Sequence, residues 1–468
     1  MRLLMISHNH PALQPGGTEV VARTLFRQLR DQHGVEGLFL AAVSPPLRNR
    51  HPGSMLQAVN GHPDEMLVWL GHFDRFFLNQ LDTHGLEALA PLIEQARPDV
   101  IHIHHPLLFG VETVDLLRRC APNAKLVFTA HDYFALCTRE GELLTEDERL
   151  CPGPSLDRCR RCFPGRPGAD FVLRDLALRD TLGTADAILV PGEFARTRFI
   201  AAGWPAERLE VMRNGILDSP AAPLRPSPDG RRDRFGFFGH INRIKGARLL
   251  LQASAQLSAQ GVAHRLHLHG GTAYQPEALV TGFRADLAAA PAARHTGQYE
   301  SDELPALMAQ VDWVVMPSIW YENAPLVLLE AFHHGRPAIC SGIGGMAETV
   351  RDGIDGLHAP VNDAQGLADV MRSAVETEGL WDRLRAGIRP PHSVAAMAEA
   401  HLALYRRVLG LAEPAPTAMP EPTVPEPTLP VPPAAEQPAA AKPGTAKSAA
   451  AKPAPRNRAA RRKAAAQA

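Results

Sequence analysis

The chain lacks a net charge of either sign. Its 49 Lys and Arg against 50 Asp and Glu leave −1 over 468 residues, so the folded body carries no electrostatic footprint for nucleic acid. A long apolar run is also missing at the start: in MRLLMISHNHPALQPGG the stretch from Leu3 to Ile6 meets Ser7 and His8 too soon for a signal peptide or a membrane span. That predicts a cytoplasmic protein. Cysteine is scarce, six in all with four crowded between Cys137 and Cys162, which speaks for a local cluster in a reducing compartment and against a disulfide framework. No fixed-period repeat is evident, which argues against a solenoid or propeller. No dinucleotide fingerprint follows the first strand; Gly342-x-Gly344-x-x-Ala347 fits its outline but lies late and without a following acidic residue. A dehydrogenase is therefore the weakest enzyme reading.

What is present is a core for two ordinary domains, with 45% of residues hydrophobic. Short β-rich runs alternate with helical ones: LLMIS, then GTEVVARTLFRQLRDQ; DVIHIH, then VETVDLLRR; KLVFTA; DAILV, then EFARTRFIAAG. Such alternation is the signature of a parallel sheet covered by helices. It starts afresh after a Pro-rich, charged stretch with FGFFGH, GARLLLQASAQLSAQG, RLHLHG, LPALMAQVD and WVVMPS. The reading is an α/β protein with two Rossmann-like domains, residues 1–217 and 218–390. VAAMAEAHLALYRRVLG, within residues 391–411, is expected to pack back on the body. From 412 to 468 the composition turns to Pro, Ala, Glu and Lys without apolar periodicity, which predicts a disordered tail. Its basic end, PAPRNRAARRKAAAQA, raises a peripheral contact with a membrane or an acidic partner.

The run PSIWYENAPLVLLEAFHHGRPAI sets Glu322 and Glu330 eight residues apart around an apolar stretch. A glycosidase pair needs carboxyl groups roughly 5 to 9.5 Å apart. A helix stopped by Gly335, with Pro325 in its first turn and Glu322 at its mouth, would instead separate them by roughly 12 Å along the axis. Two such groups can grip the two ends of one long ligand. Between them the N–H groups around Asn323 and Ala324 favour an anion, a layout that fits a sugar nucleotide.

Glycine turns follow several strands, at Gly16-Gly17, at Gly239 and Gly246 in GHINRIKG, at Gly270-Gly271, and at Gly342, Gly344 and Gly345. Each permits close backbone approach to phosphate, and each also serves a plain strand-to-helix turn. Lys245 opens a helix, where it could neutralise a diphosphate with Arg243 assisting, or could simply be solvated. His131-Asp132 closes KLVFTA at the carboxyl edge where open α/β sheets bind ligands; His8, His102, His104 and His105 share that position and its ambiguity.

Taken together, GGTEVVARTL, FTAHDY, MRNGI, GHINRIKG, HTGQYESDELPALMAQVDWVVMPS, PSIWYENAPLVLLEAFHHGRPAI and GGMAETVRDGIDGL resemble, in order over residues 1–409, the retaining glycosyltransferases of family 4, which have the GT-B fold. The resemblance implies two Rossmann-like domains facing across a cleft, and transfer of a sugar from a UDP-, GDP- or ADP-sugar to a hydroxyl acceptor, lipid-linked, polysaccharide or small, with retained configuration. It also implies that Glu330 holds the ribose and Glu322 faces the transferred sugar, with His131 near sugar or acceptor. Lys245, Arg243, Gly16, Gly17, Asn323, Ala324, Leu326, Gly344 and Gly345 would complete the donor site. No metal is implied for catalysis, and no Asp-x-Asp stands ready to hold one. One departure stands out: His240 occupies the place where many members have Arg, so either Arg243 supplies the second positive charge or diphosphate binding here is weaker or pH-dependent. A nucleotide-sugar epimerase and a catalytically silent glycan- or nucleotide-binding scaffold are the alternatives; retention of both glutamates and Lys245 argues against the second.

The insertion at residues 137–168 carries Cys137, Cys151, Cys159 and Cys162, with one C-x2-C pair. Four thiolates could form a closed tetrahedral zinc site ordering a segment short of core; free thiols are the other reading.

Overall fold

The apolar runs become buried central strands. Val100–Ile103 and Ala187–Val190 are buried at every position, and Arg2–His8 and Lys125–Thr129 at all but their ends, the pattern of parallel strands covered on both faces. The computed structural model describes residues 1–43, 51, 53–217, 219–227 and 229–411; the tail expected to be disordered lies outside them. In the first sheet the order is Leu209–Val211, Ala187–Val190, Lys125–Thr129, Val100–Ile103, Arg2–His8, Glu36–Ala42, His62–Val68 and Leu56–Val59. Only the last pair is antiparallel. The reading from sequence passed over this last hairpin, an edge feature whose strands alternate only weakly, and also the strand Glu36–Ala42.

The second sheet runs Ala293–Gly297, Arg265–His269, Arg234–Phe238, Trp313–Met316, Ala338–Ser341 and Gly356–Ala359, parallel throughout. Each sheet therefore has a point where the strand order reverses. In the first it lies between Arg2–His8 and Val100–Ile103, in the second between Arg234–Phe238 and Trp313–Met316. Ligands of open α/β sheets bind beyond the carboxyl ends of such strands. The loops that follow contain the glycine turns, Lys245 and Glu322.

The last described helix, Val394–Val408, follows the second sheet in sequence but packs on the layers around the first sheet, here called the first unit. Val394, Met397, Leu404 and Tyr405 share a buried cluster with Leu3, Val21 and Phe26, and the Tyr405 hydroxyl lies 2.6 Å from His102 Nδ1. Ser393 caps the helix by accepting from the Ala396 N–H at 3.1 Å.

Candidate active site

The loop 239–246 and the loop after Trp313–Met316 are pressed together at Gly246. It takes φ of +75°, and a Cβ there would stand 2.1 Å from the Pro317 carbonyl oxygen, so only glycine fits. The Ile319 N–H donates to the Ile244 carbonyl at 2.9 Å. This contact delivers Lys245 to Glu322: Nζ is 2.7 Å from Oε1. The same oxygen accepts from Ser318 Oγ at 2.8 Å and Trp320 Nε1 at 2.7 Å. Glu322, only 5% exposed, is thus a buried carboxylate with three donors on one oxygen, an arrangement that offsets its desolvation.

Glu330 is the opposite case. The helix spans Leu326–His333 with Pro325 just before it as the cap, so Pro325 is not in the first turn, and Glu322 lies in the preceding loop. Among the described residues the Glu330 carboxylate has no hydrogen-bond or ion-pair partner. Burial pushes it up to about 7, and the Tyr299 phenol is raised first by burial and then by Glu330. The side chain is half-buried, so the carboxylate stands free to accept hydrogen bonds from a ligand.

The helix start spans the cleft. Asn323 Oδ1 accepts from the Tyr133 hydroxyl and Asn323 Nδ2 donates to the Ala130 carbonyl, both at 3.3 Å, while Asn214 Nδ2 donates to the Ala324 carbonyl at 3.4 Å. The backbone N–H groups of Asn323 and Ala324 donate to no described residue, as an anion site requires. Leu326 packs against the first unit's core. Glu348 completes the cross-cleft contacts by accepting from the Glu193 and Phe194 N–H groups at 3.0 Å each.

Gly344 and Gly345 serve the loop behind the site. A Cβ on Gly345 would lie 1.6 Å from the Asn323 carbonyl oxygen, and its N–H donates to the Glu322 carbonyl at 2.8 Å. What their smallness admits is protein backbone. Of the first glycine pair, Gly16 lies against the Glu19 carboxyl, where a Cβ would come within 2.4 Å of Oε2, and Gly17 faces open space. Glu19 Oε1 is 3.1 Å from His8 Nε2. Burial first of all raises Glu19 to about 7 and drives His8 well below its ordinary value, so the contact joins two groups that both resist charge.

His131 Nε2 lies 2.8 Å from His104 Nδ1, and burial lowers its pKa to about 3. It is a neutral hydrogen-bonding group at ordinary pH. Beside it His105 contacts Asp132 at 2.9 Å. Burial works against the charge of Asp132, but His105 and the Phe134 N–H hold the carboxyl below its usual range.

Arg243 departs most from expectation. Its guanidinium reaches across to the insertion, with Nη2 at 2.5 and 2.6 Å from the Glu142 oxygens and Nη1 at 2.9 Å from Glu148. It does not turn toward Lys245 as a second diphosphate cation. Neither acid was singled out from the sequence, because their partner lies about a hundred residues on. Ser318 and Trp320 stand inside the quoted glutamate run, so the signal for them was at hand.

The insertion's thiols are free and line one cavity of about 20 Å³. Among the described residues no group of three or more His, Cys, Asp or Glu is placed to hold a metal ion, so the tetrahedral set is not assembled in this arrangement. Also among the described residues, no helix is long and apolar enough to cross a membrane.

Two parallel α/β sheets with facing switch points define the GT-B class of sugar-transferring enzymes. Residues 15–218 match the family described as Glycosyltransferase Family 4, and residues 232–377 that described as Glycosyl transferases group 1. The D-inositol 3-phosphate glycosyltransferase of Nocardioides sp. is 32% identical over 424 residues, 82% of this chain and 84% of that protein. The enzyme of that name from Frankia alni is 28% identical over 408 residues, 81% and 92% of the two chains. Among solved structures, Anabaena HepE in complex with UDP and glucose aligns with a TM-score of 0.61 at 18% identity, over 87% of this chain and 100% of that one. The chain belongs to the family 4 glycosyltransferases.

Proposed function

We propose that the enzyme moves a sugar from a UDP-, GDP- or ADP-sugar to an acceptor hydroxyl with retained anomeric configuration, in the synthesis of a glycan, polysaccharide or glycolipid. The observation that carries this is the contrast between the two glutamates. Glu322 is held at the lysine of the glycine loop, while Glu330 waits unpaired beyond the helix start. In this reading Glu330 accepts from the ribose hydroxyls. The open N–H groups of Asn323 and Ala324 meet the diphosphate, Lys245 shifts from Glu322 toward it as charge develops, and Glu322 turns to the sugar. His131, neutral, donates or accepts one hydrogen bond at the sugar or acceptor. The relatives named for D-inositol 3-phosphate support a small hydroxylated acceptor as one candidate. Proton couplings at the anomeric carbon of the product test retention.

Ribose recognition needs Glu330 ionised, yet burial holds its pKa near 7. Nucleoside diphosphate affinity is therefore expected to fall as pH drops through 7, and the Glu330→Gln variant to lose that dependence. The terminal phosphate of the ligand titrates in a neighbouring range, and Glu19 also titrates near 7, but both are common to the two proteins. Calorimetry from pH 5.5 to 8.5 isolates the difference; parallel curves would remove Glu330 from the ribose site. The linkage for folding has the other sign. A folded pKa raised above 4.5 gives stability that is present at pH below 4.5 and lost as pH rises through about 7.

For the insertion we propose a structural zinc ion, reached by rotation of thiols that already share a cavity. Burial pushes the Cys137 thiol up to about 11, and a bound cation would reverse this by deprotonating it. Purified protein should carry close to one equivalent of zinc, and Cys159→Ser should lower metal content and melting temperature together. Metal-free protein with titratable thiols and full stability would exclude the ion.

A further inference from the structure

We propose that the insertion 137–168 is a clamp on the donor loop, in which Glu142 and Glu148 fix Arg243, so that Arg243 acts as a positioning residue and not as a ligand of the diphosphate. The inference builds on the glycosyltransferase reading, since it concerns the loop that presents Lys245.

Glu142 takes Arg243 Nη2 on both oxygens and Glu148 takes Nη1. An arginine held by two carboxylates in this way has little freedom to turn. The clamp is itself anchored in the first unit. Arg198 Nη1 donates to the Pro152 carbonyl at 2.9 Å, and within the insertion Arg139 Nε donates to Glu142 at 3.1 Å. Arg174, 3% exposed, fixes the chain just ahead of the insertion, at Phe134 and Ala135, by donating to their carbonyls and to that of Phe76. Gly141, next to Glu142, takes φ of +73°, and a Cβ there would meet the Phe134 nitrogen at 2.8 Å, so this turn is seated against the chain that follows His131 and Asp132. The insertion thus ties the segment carrying His131 to the loop carrying Lys245.

The pairing also explains how the loop manages with His240. With Arg243 taken by the clamp, charge at the diphosphate comes from Lys245 and the helix N–H groups, and Arg243 contributes by holding the backbone of residues 239–246 in place.

The test is charge reversal and rescue, read by amide hydrogen exchange of residues 239–246 in the donor-free full-length protein. Arg243→Glu sets three acids together and is expected to speed exchange in this loop by at least about fivefold, the lower end of typical coupling between sites. Adding Glu142→Arg and Glu148→Arg restores the pairing with reversed sign and should return exchange to near the parental rate, together with most of the transfer activity. Unchanged exchange in Arg243→Glu, or no restoration in the triple variant, overturns the clamp. So does tighter nucleoside diphosphate binding in the Glu142→Gln, Glu148→Gln variant, which would show the acids competing with the ligand. Because exchange is read without donor, restored protection in a protein that transfers no sugar would keep the clamp and reject the functional reading instead.

Discussion

Replacing Glu322 by glutamine is expected to lower sugar transfer roughly 10²- to 10³-fold, the range seen when one preorganised polar group at a transition state is removed. Nucleoside diphosphate should bind at least as well as to the parent. The amide oxygen still accepts from Ser318 and Trp320, whose donors now sit on Glu322 Oε1, so the loop keeps its shape. What disappears is the negative charge at the sugar end and the hold on Lys245. A variant that binds but does not transfer has lost an interaction made mainly in the transition state. Initial rates and calorimetry on one preparation check both halves. Parental transfer would make this carboxylate structural.

Lys245→Ala should damage binding and transfer together. The diphosphate carries charge in the bound donor and gains more as it leaves, so a fixed cation acts in both states. Loss of a hydrogen bond to a charged group costs about 1.5 to 3 kcal/mol, or roughly ten- to a hundredfold in nucleoside diphosphate affinity, and the transfer rate should fall further than the affinity. Arginine is a poor substitute. The site gives Lys245 a single acceptor oxygen beside the Trp320 ring, 5.7 Å from Nζ to its centre, a place for a compact ammonium and not for a planar fork. Unchanged affinity in Lys245→Ala would place the diphosphate elsewhere.

The alternation of apolar runs was enough to read two parallel sheets, because buried parallel strands are apolar along their whole length and need no partner to be recognised. The glutamate run was legible for the same reason: its site residues lie within one segment, from Ser318 to Glu330. Contacts between distant segments were not legible. Arg243 read as a phosphate ligand because its loop suggested one, whereas the acids that hold it belong to an insertion in the other unit. Gly344 and Gly345 read as phosphate glycines, but the close approach they permit is to the chain of Tyr321 and Glu322 for Gly344 and to the Asn323 carbonyl for Gly345. His131 read as a site residue from its place at the sheet edge, yet its neutrality comes from burial beside His104 and His105, which sequence does not display.

The central claim is that Glu330 and Glu322 serve opposite ends of one nucleotide sugar. It is tested most directly by calorimetric titration of Glu330→Ala and Glu322→Ala with the nucleoside diphosphate of the accepted donor at pH 8. Glu330→Ala should bind roughly ten- to a hundredfold more weakly than the parent, and Glu322→Ala as tightly as the parent or more so. Parental affinity in Glu330→Ala, or a loss confined to Glu322→Ala, would contradict the assignment of the two carboxylates.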